Sequence, residues 1–241
     1  MQLLVLGTLD IVGSPSDDFR PILSQPKRLG LLAYLAAVRP YGFHRRDALL
    51  AQFWPELGAE QGRRALRQAL HFLRRTLGDS VIIGRGVDEV AVSPTALWCD
   101  VRAFDSAMSQ GDFEQALTLY RGELLDGFFV SGASSRFEQW LDRERAYLRE
   151  RALFAAWTLA DAEEKRGNAV GAAHWARRAA DLHATNEHSI QKLIELLGRN
   201  GDRAGAIRAY EVFARRIQDE YDVEPARQTT ALMRAVRERN A

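Results

Sequence analysis

The chain has 241 residues, 46% of them hydrophobic and 27% charged, a balance that fits a globular protein with length for one large core or two smaller ones. Thirty-three Lys plus Arg stand against 32 Asp plus Glu, so the net charge of +1 excludes a uniformly basic surface and leaves room only for a local nucleic-acid patch. The single cysteine excludes an internal disulfide, the opening MQLLVLGTLDIV lacks the basic leader of a signal peptide, and no run approaches the roughly 18 apolar residues of a membrane span, so a cytoplasmic location is expected.

The first hundred residues change element often. Leu3 to Leu6 and Leu9 to Val12 read as short strands separated by Gly7, with Gly13-Ser14-Pro15-Ser16 as a turn. Leu29, Leu32, Ala33, Leu35 and Ala36 recur at helical spacing and predict a helix over Lys27 to Val38, stopped by Pro40 and Gly42. A second helix is expected from Arg45 to Phe53, ended by Trp54-Pro55. The third is QGRRALRQALHFLRRTLGD at 61–79, where five arginines and no acid lie between Glu60 and Asp79.

On a helical wheel, Leu66, Ala69, Leu70, Leu73 and Leu77 gather as a core stripe. Arg64, Gln68, His71 and Arg75 fall on the opposite side, with Arg67 at the flank. After this helix, Val81 to Ile83 and Val87 to Val92 are β-branched runs around Gly84-Arg85-Gly86, which predicts a hairpin with Arg85 at its tip. Strands, three helices and a closing hairpin are the order of an α+β winged helix-turn-helix domain.

That order gives the basic helix a task. A DNA major groove admits an α-helix, an arginine fork fits the paired acceptors of guanine, and glutamine pairs with adenine. Arg64, Arg67, Gln68, His71 and Arg75 are therefore the expected base contacts, and Lys27, Arg28, Arg45, Arg46 and Arg85 the expected phosphate contacts. Arg74, nearer the core stripe, is expected in an internal salt bridge. The bland reading is that these arginines are only solvent-exposed, in a chain with 30 Arg and 3 Lys.

From residue 100 onward the strand signals stop and a repeat begins. GDFEQALTLY at 111–120, GNAVGAAHWA at 167–176 and GDRAGAIRAY at 201–210 each start with glycine and then Asp or Asn, with Ala116, Ala172 and Ala206 five positions after the glycine. The second and third copies are 34 residues apart, the tetratricopeptide period. Glycine allows a turn between antiparallel helices, Asp or Asn caps the second, and alanine lets the pair approach. Tyr120 and Tyr210 follow their alanines by four residues, which places them on one helix face. Between the first two copies, YRGELLDGFFVSGASS reads as a partly extended insert, and a last helix is expected from about Ala226 to Arg239. Trp140, Trp157 and Trp175 fall in helical stretches and read as core.

Catalytic and metal chemistry has little support in the sequence. His44, His71, His174, His183 and His188 form no metal-binding helix pair, Cys99 reads as a small buried residue, and GxxxxGK[ST] does not occur. Neither a cofactor nor an enzymatic activity is expected.

The chain resembles the SARP-type transcriptional regulators, which join an OmpR-like winged helix to a helical bacterial transcriptional activator domain. HRRDALLAQFWP at 44–55, LRQALHFLRRTLG at 66–78, YRGELLDG at 120–127 and AIRAYEVFARRIQDEYDVEP at 206–225 carry the resemblance, in that order. Tyr221-Asp222 and Thr185-Asn186 depart from the family's usual Leu-Gly and Asp-Pro, both at turns of the helical half. The resemblance implies a winged helix-turn-helix DNA-binding domain over 1–98 and a tetratricopeptide-like activator domain over 99–241. It further implies a mainly α protein that activates transcription from double-stranded DNA repeats, as a homodimer on DNA, with RNA polymerase as a partner. The competing expectation is a tetratricopeptide-like scaffold that binds a protein partner without specific DNA recognition.

Overall fold

The computed structural model of the chain describes residues 1–13 and 18–238, in two compact units, Met1–Leu148 and Arg149–Ala241. The first unit contains, in chain order, β1 (Gln2–Leu4), β2 (Asp10–Val12), α1 (Arg20–Leu23), α2 (Pro26–Ala37), β3 (His44–Arg45), α3 (Arg46–Phe53) and α4 (Ala59–Leu77). It continues with β4 (Ile82–Arg85), β5 (Glu89–Val92), β6 (Trp98–Cys99), α5 (Asp100–Gln110), α6 (Phe113–Leu119) and the start of α7 (Ser135–Lys165). The expected turn at Ser14-Pro15-Ser16 lies outside the described residues.

Two small sheets frame the helices of this unit. In one, β1 sits between antiparallel β2 and parallel β6, with Leu3 opposite Ile11 and Cys99. In the other, β5 sits between β3 and β4, both antiparallel. Pro26 opens α2, where its fixed φ suits the first helical turn, and the apolar residues of that helix from Leu29 to Ala37 are buried apart from half-buried Tyr34. Tyr34 stacks edge-on against Trp140 at 4.6 Å between centroids, and Phe53 meets Phe137 at 5.2 Å, so the start of α7 is part of the core under α2 and α3.

Asp100 joins the early strands to the residues that follow them. Its carboxylate is 1% exposed and accepts hydrogen bonds from the backbone N–H of Val5 (2.9 Å), Leu6 (3.0 Å) and Val101 (2.9 Å), and from Arg121 (3.1 Å). The expected insert at 120–135 continues the same seam: Leu125 N–H donates to Val5 O at 2.8 Å and Gly7 N–H to Glu123 O at 2.8 Å. A Cβ on Gly122 would come within 3.0 Å of the Gly7 backbone, so glycine is what lets these two strands of chain touch. Buried Cys99 beside this carboxylate has its thiol pushed up to about 12 by burial, so it stays protonated and packs as a small apolar group.

The second unit holds the rest of α7, then α8 (Ala169–Leu182), α9 (Glu187–Arg199), α10 (Arg203–Tyr221) and α11 (Arg227–Glu238). Its core interleaves small and large side chains, with Ala172, Ala176 and Ala206 against Leu193, Ile194, Leu197 and Phe213. The repeat expected from sequence is present as three turns of one kind. Gly111, Gly167 and Gly201 have φ of 75°, 76° and 78°, and the next residues, Asp112, Asn168 and Asp202, accept from the N–H of Gln115, Gly171 and Gly205. Ala116, Ala172 and Ala206 are fully buried.

Four expectations need correction. The hairpin turn is Gly86-Val87-Asp88, one to three residues beyond the expected tip, because Arg85 keeps strand pairing with Glu89. Tyr120 is the residue that closes α6 and not a member of its face: the helix stops at Leu119 and the ring packs against Phe104 at 5.7 Å. Trp140 is buried, but Trp157 and Trp175 are only half-buried at the edge of the core. Arg74 makes a hydrogen bond to the Ile82 carbonyl at 3.0 Å in place of the expected salt bridge. The last helix ends at Glu238 among the described residues, and Arg239 lies outside them.

Candidate nucleic-acid interface

The basic helix is built by its own periodicity. Leu66, Ala69, Leu70, Leu73 and Leu77 are all buried, and Gly62 joins them one turn earlier. With that stripe fixed inward, Arg64, Arg67, Gln68, His71 and Arg75 are all exposed on α4, as the wheel requires. At 1.5 Å per residue these five span about 17 Å along the axis, a length that lies within one stretch of major groove.

Other expected cations flank this face on separate elements. Lys27 and Arg28, in the first turn of α2, share a cleft of about 420 Å³ with Trp54 and Gln68. Arg28 lies over the Phe72 ring at 4.2 Å, while Lys27 bonds Glu56 at 3.2 Å, which partly neutralises it. Arg45 and Arg85 both stand opposite Glu89 in the three-stranded sheet. The Arg85 guanidinium bonds Glu89 at 2.5 Å and lies 4.6 Å over Phe43. Its hydrogen bond holds the Glu89 carboxyl below the usual range, with Arg45 adding to the effect.

Arg46 is half-buried. Burial lowers its pKa, and the charges of Arg74 and Arg67 push in the same direction against the opposing pull of Asp88. Its Nε is buried with no hydrogen-bond partner among the described residues. A guanidinium in that position, beside two others, is relieved by an anion. Arg63 is a further exposed arginine of α4 that the wheel reading missed. The signal was the paired Arg63-Arg64, and its position at the flank of the stripe hid it.

This combination, an exposed polar face on the third helix with cations from α2, α3 and the hairpin around it, belongs to a winged helix-turn-helix fold. Downstream, the bacterial transcriptional activator domain family matches residues 100–237. The chain belongs to that family. Its helical activator domain therefore follows a winged helix, the architecture of SARP-type transcriptional regulators. No curated protein matches this activator-domain chain in sequence. The solved structure of EmbR from Mycobacterium tuberculosis, in complex with a low-affinity phosphopeptide, shares the fold with a TM-score of 0.58 at 22% identity. The match covers 98% of the activator-domain chain and 64% of the EmbR chain, so the chain spans less than two thirds of that protein's length. Among the described residues, no helix is long and apolar enough to cross a membrane.

Proposed function

We propose that the protein is a sequence-specific DNA-binding regulator that activates transcription, with Arg64, Arg67, Gln68, His71 and Arg75 reading base edges in the major groove. Lys27, Arg28, Arg45, Arg46 and Arg85 position the helix by contacts to phosphates, and Arg63 adds to them. In this reading residues 1–98 supply the DNA contacts, residues 99–241 engage RNA polymerase, and two copies bind adjacent repeats. It is not an enzyme and needs no cofactor. The observation that carries the reading is the exposure of five adjacent basic or amide side chains opposite a fully buried leucine stripe. The crowding of Arg46 beside Arg67 and Arg74 supports it, because a phosphate would offset that repulsion.

Genomic footprinting followed by titration of the recovered DNA at several salt concentrations tests this. With six phosphate contacts per copy, affinity should fall roughly 10³-fold between 50 and 200 mM salt. An Arg64→Ala, Arg67→Ala, Gln68→Ala protein should lose about 100-fold or more in its preference for the footprinted site over unrelated DNA. Unchanged preference in that variant overturns the assignment of α4 as the reading helix.

A further inference from the structure

Within the second unit, α8, α9 and α10 enclose a groove of about 480 Å³ that the DNA reading does not use. Its floor is apolar, formed by Ala180, Ile190, Leu193, Ala209, Val212 and Phe213. Leu193 and Phe213 are buried core residues, whereas Val212 is 59% exposed. Such a volume and lining are typical of a binding cleft and not of a packing defect.

The rim is positively charged. Arg177, Arg208 and Arg216 line the groove with a single carboxylate, Asp181, among them. Arg177 is already committed, since its Nη2 bonds Asp202 at 2.8 Å. Arg208 and Arg216 have no ion pair or hydrogen-bond partner among the described residues. They stand four residues before and four residues after Val212, so α10 presents cation, exposed valine and cation along one face. The two arginines are about 12 Å apart along the helix axis.

We infer that this groove binds an extended acidic segment of a partner protein, in which one large apolar side chain lies between two carboxylates. The apolar residue covers Val212 and seats on Leu193 and Phe213, and the flanking carboxylates meet the guanidinium forks of Arg208 and Arg216. About four extended residues span the 12 Å between those forks. The elongated cation–apolar–cation order favours a peptide over a compact small molecule, which would use one fork and part of the floor.

A phage-displayed library of random nonapeptides, panned on the full chain, tests the inference. Enriched sequences should place Asp or Glu on both sides of one large apolar residue. Synthetic copies with a fluorescent label should bind at least tenfold more weakly to an Arg208→Ser, Arg216→Ser protein, and to an Ala209→Trp protein whose groove is filled. Circular dichroism with an unchanged melting midpoint, together with retained DNA binding, shows that both variants are folded and separates this result from the reading of α4. Enrichment of sequences without acids, equal affinity for wild type and both variants, or no enrichment overturns the inference. Displacement of the peptide by micromolar octanoate would also overturn it and assign the groove to a small amphipathic carboxylate.

Discussion

Two helices of this chain have the same length of 19 residues and opposite charge design. α4 carries five arginines and one acid, Glu60, in its first turn; α10 carries four arginines with Glu211, Asp219 and Glu220 interspersed. Both bury an apolar stripe, so the difference lies wholly in the other face. On α10 four arginines stand against three acids, so the helix as a whole is close to neutral although Arg208 and Arg216 have no ion-pair partner among the described residues. On α4 the single Glu60 stands against five arginines, and that imbalance is the physical reason to look for an external anion.

The helices also start differently. α10 is capped by the Asp202 side chain, which accepts from Gly205 N–H at 2.8 Å, whereas Gly58 offers α4 no side-chain cap. α10 therefore draws stability from a local motif repeated at Asp112 and Asn168, and α4 depends on its leucine stripe and its contacts with neighbouring elements. Substitutions can break this contrast at measurable points. Leu70→Ala, which hollows the α4 stripe, should cost about 2–5 kcal/mol in denaturant unfolding. Ala206→Leu, which forces a branched side chain into the close approach of α10, should cost about 1–3 kcal/mol. Asp202→Ala, which removes the cap and the partner of Arg177, should cost about 1 kcal/mol. Arg75→Ala should change stability by less than about 0.5 kcal/mol while weakening binding to the footprinted DNA. A stability loss at Arg75 as large as the one at Asp202 would place that side chain in the fold and remove the contrast.

The local parts of this structure were legible in the sequence because local chemistry decides them. Helical spacing placed α2, α3 and α4 within two residues of their observed ends, and the pattern of glycine, Asp or Asn, and alanine located three turns whose glycine φ angles agree to within a few degrees. The exposed face of α4 followed from its stripe. What escaped depends on contacts between elements, near or far in the chain. Glu89, four residues on, holds Arg85 in the strand, and the Ile82 carbonyl, eight residues on, accepts from Arg74; both follow from the hairpin's register, which residue spacing does not fix. The insert at 120–135 was readable as irregular, yet its pairing with Val5 and Gly7 links residues more than a hundred positions apart. Around the candidate site, the exposure of the α4 side chains was foreseeable; the pairing of Lys27 with Glu56 and the crowding of Arg46 were not, since both arise from packing between elements.

The carboxylate of Asp100 sets an order of events for folding. The acceptor for the Val5 and Leu6 N–H groups comes 94 to 95 residues later in the chain, and β6, which completes the sheet of the preceding β1, immediately precedes it. Closing so long a loop is slow relative to forming helices, so the three helices around α4 can assemble while the first strand still waits for a neighbour. An Asp100→Ala chain would keep every arginine of the basic face of α4 and lose the carboxylate that holds the backbone after β1. Such a variant should leave Val5 and Leu6 open to fast amide hydrogen exchange, with α4 still protected.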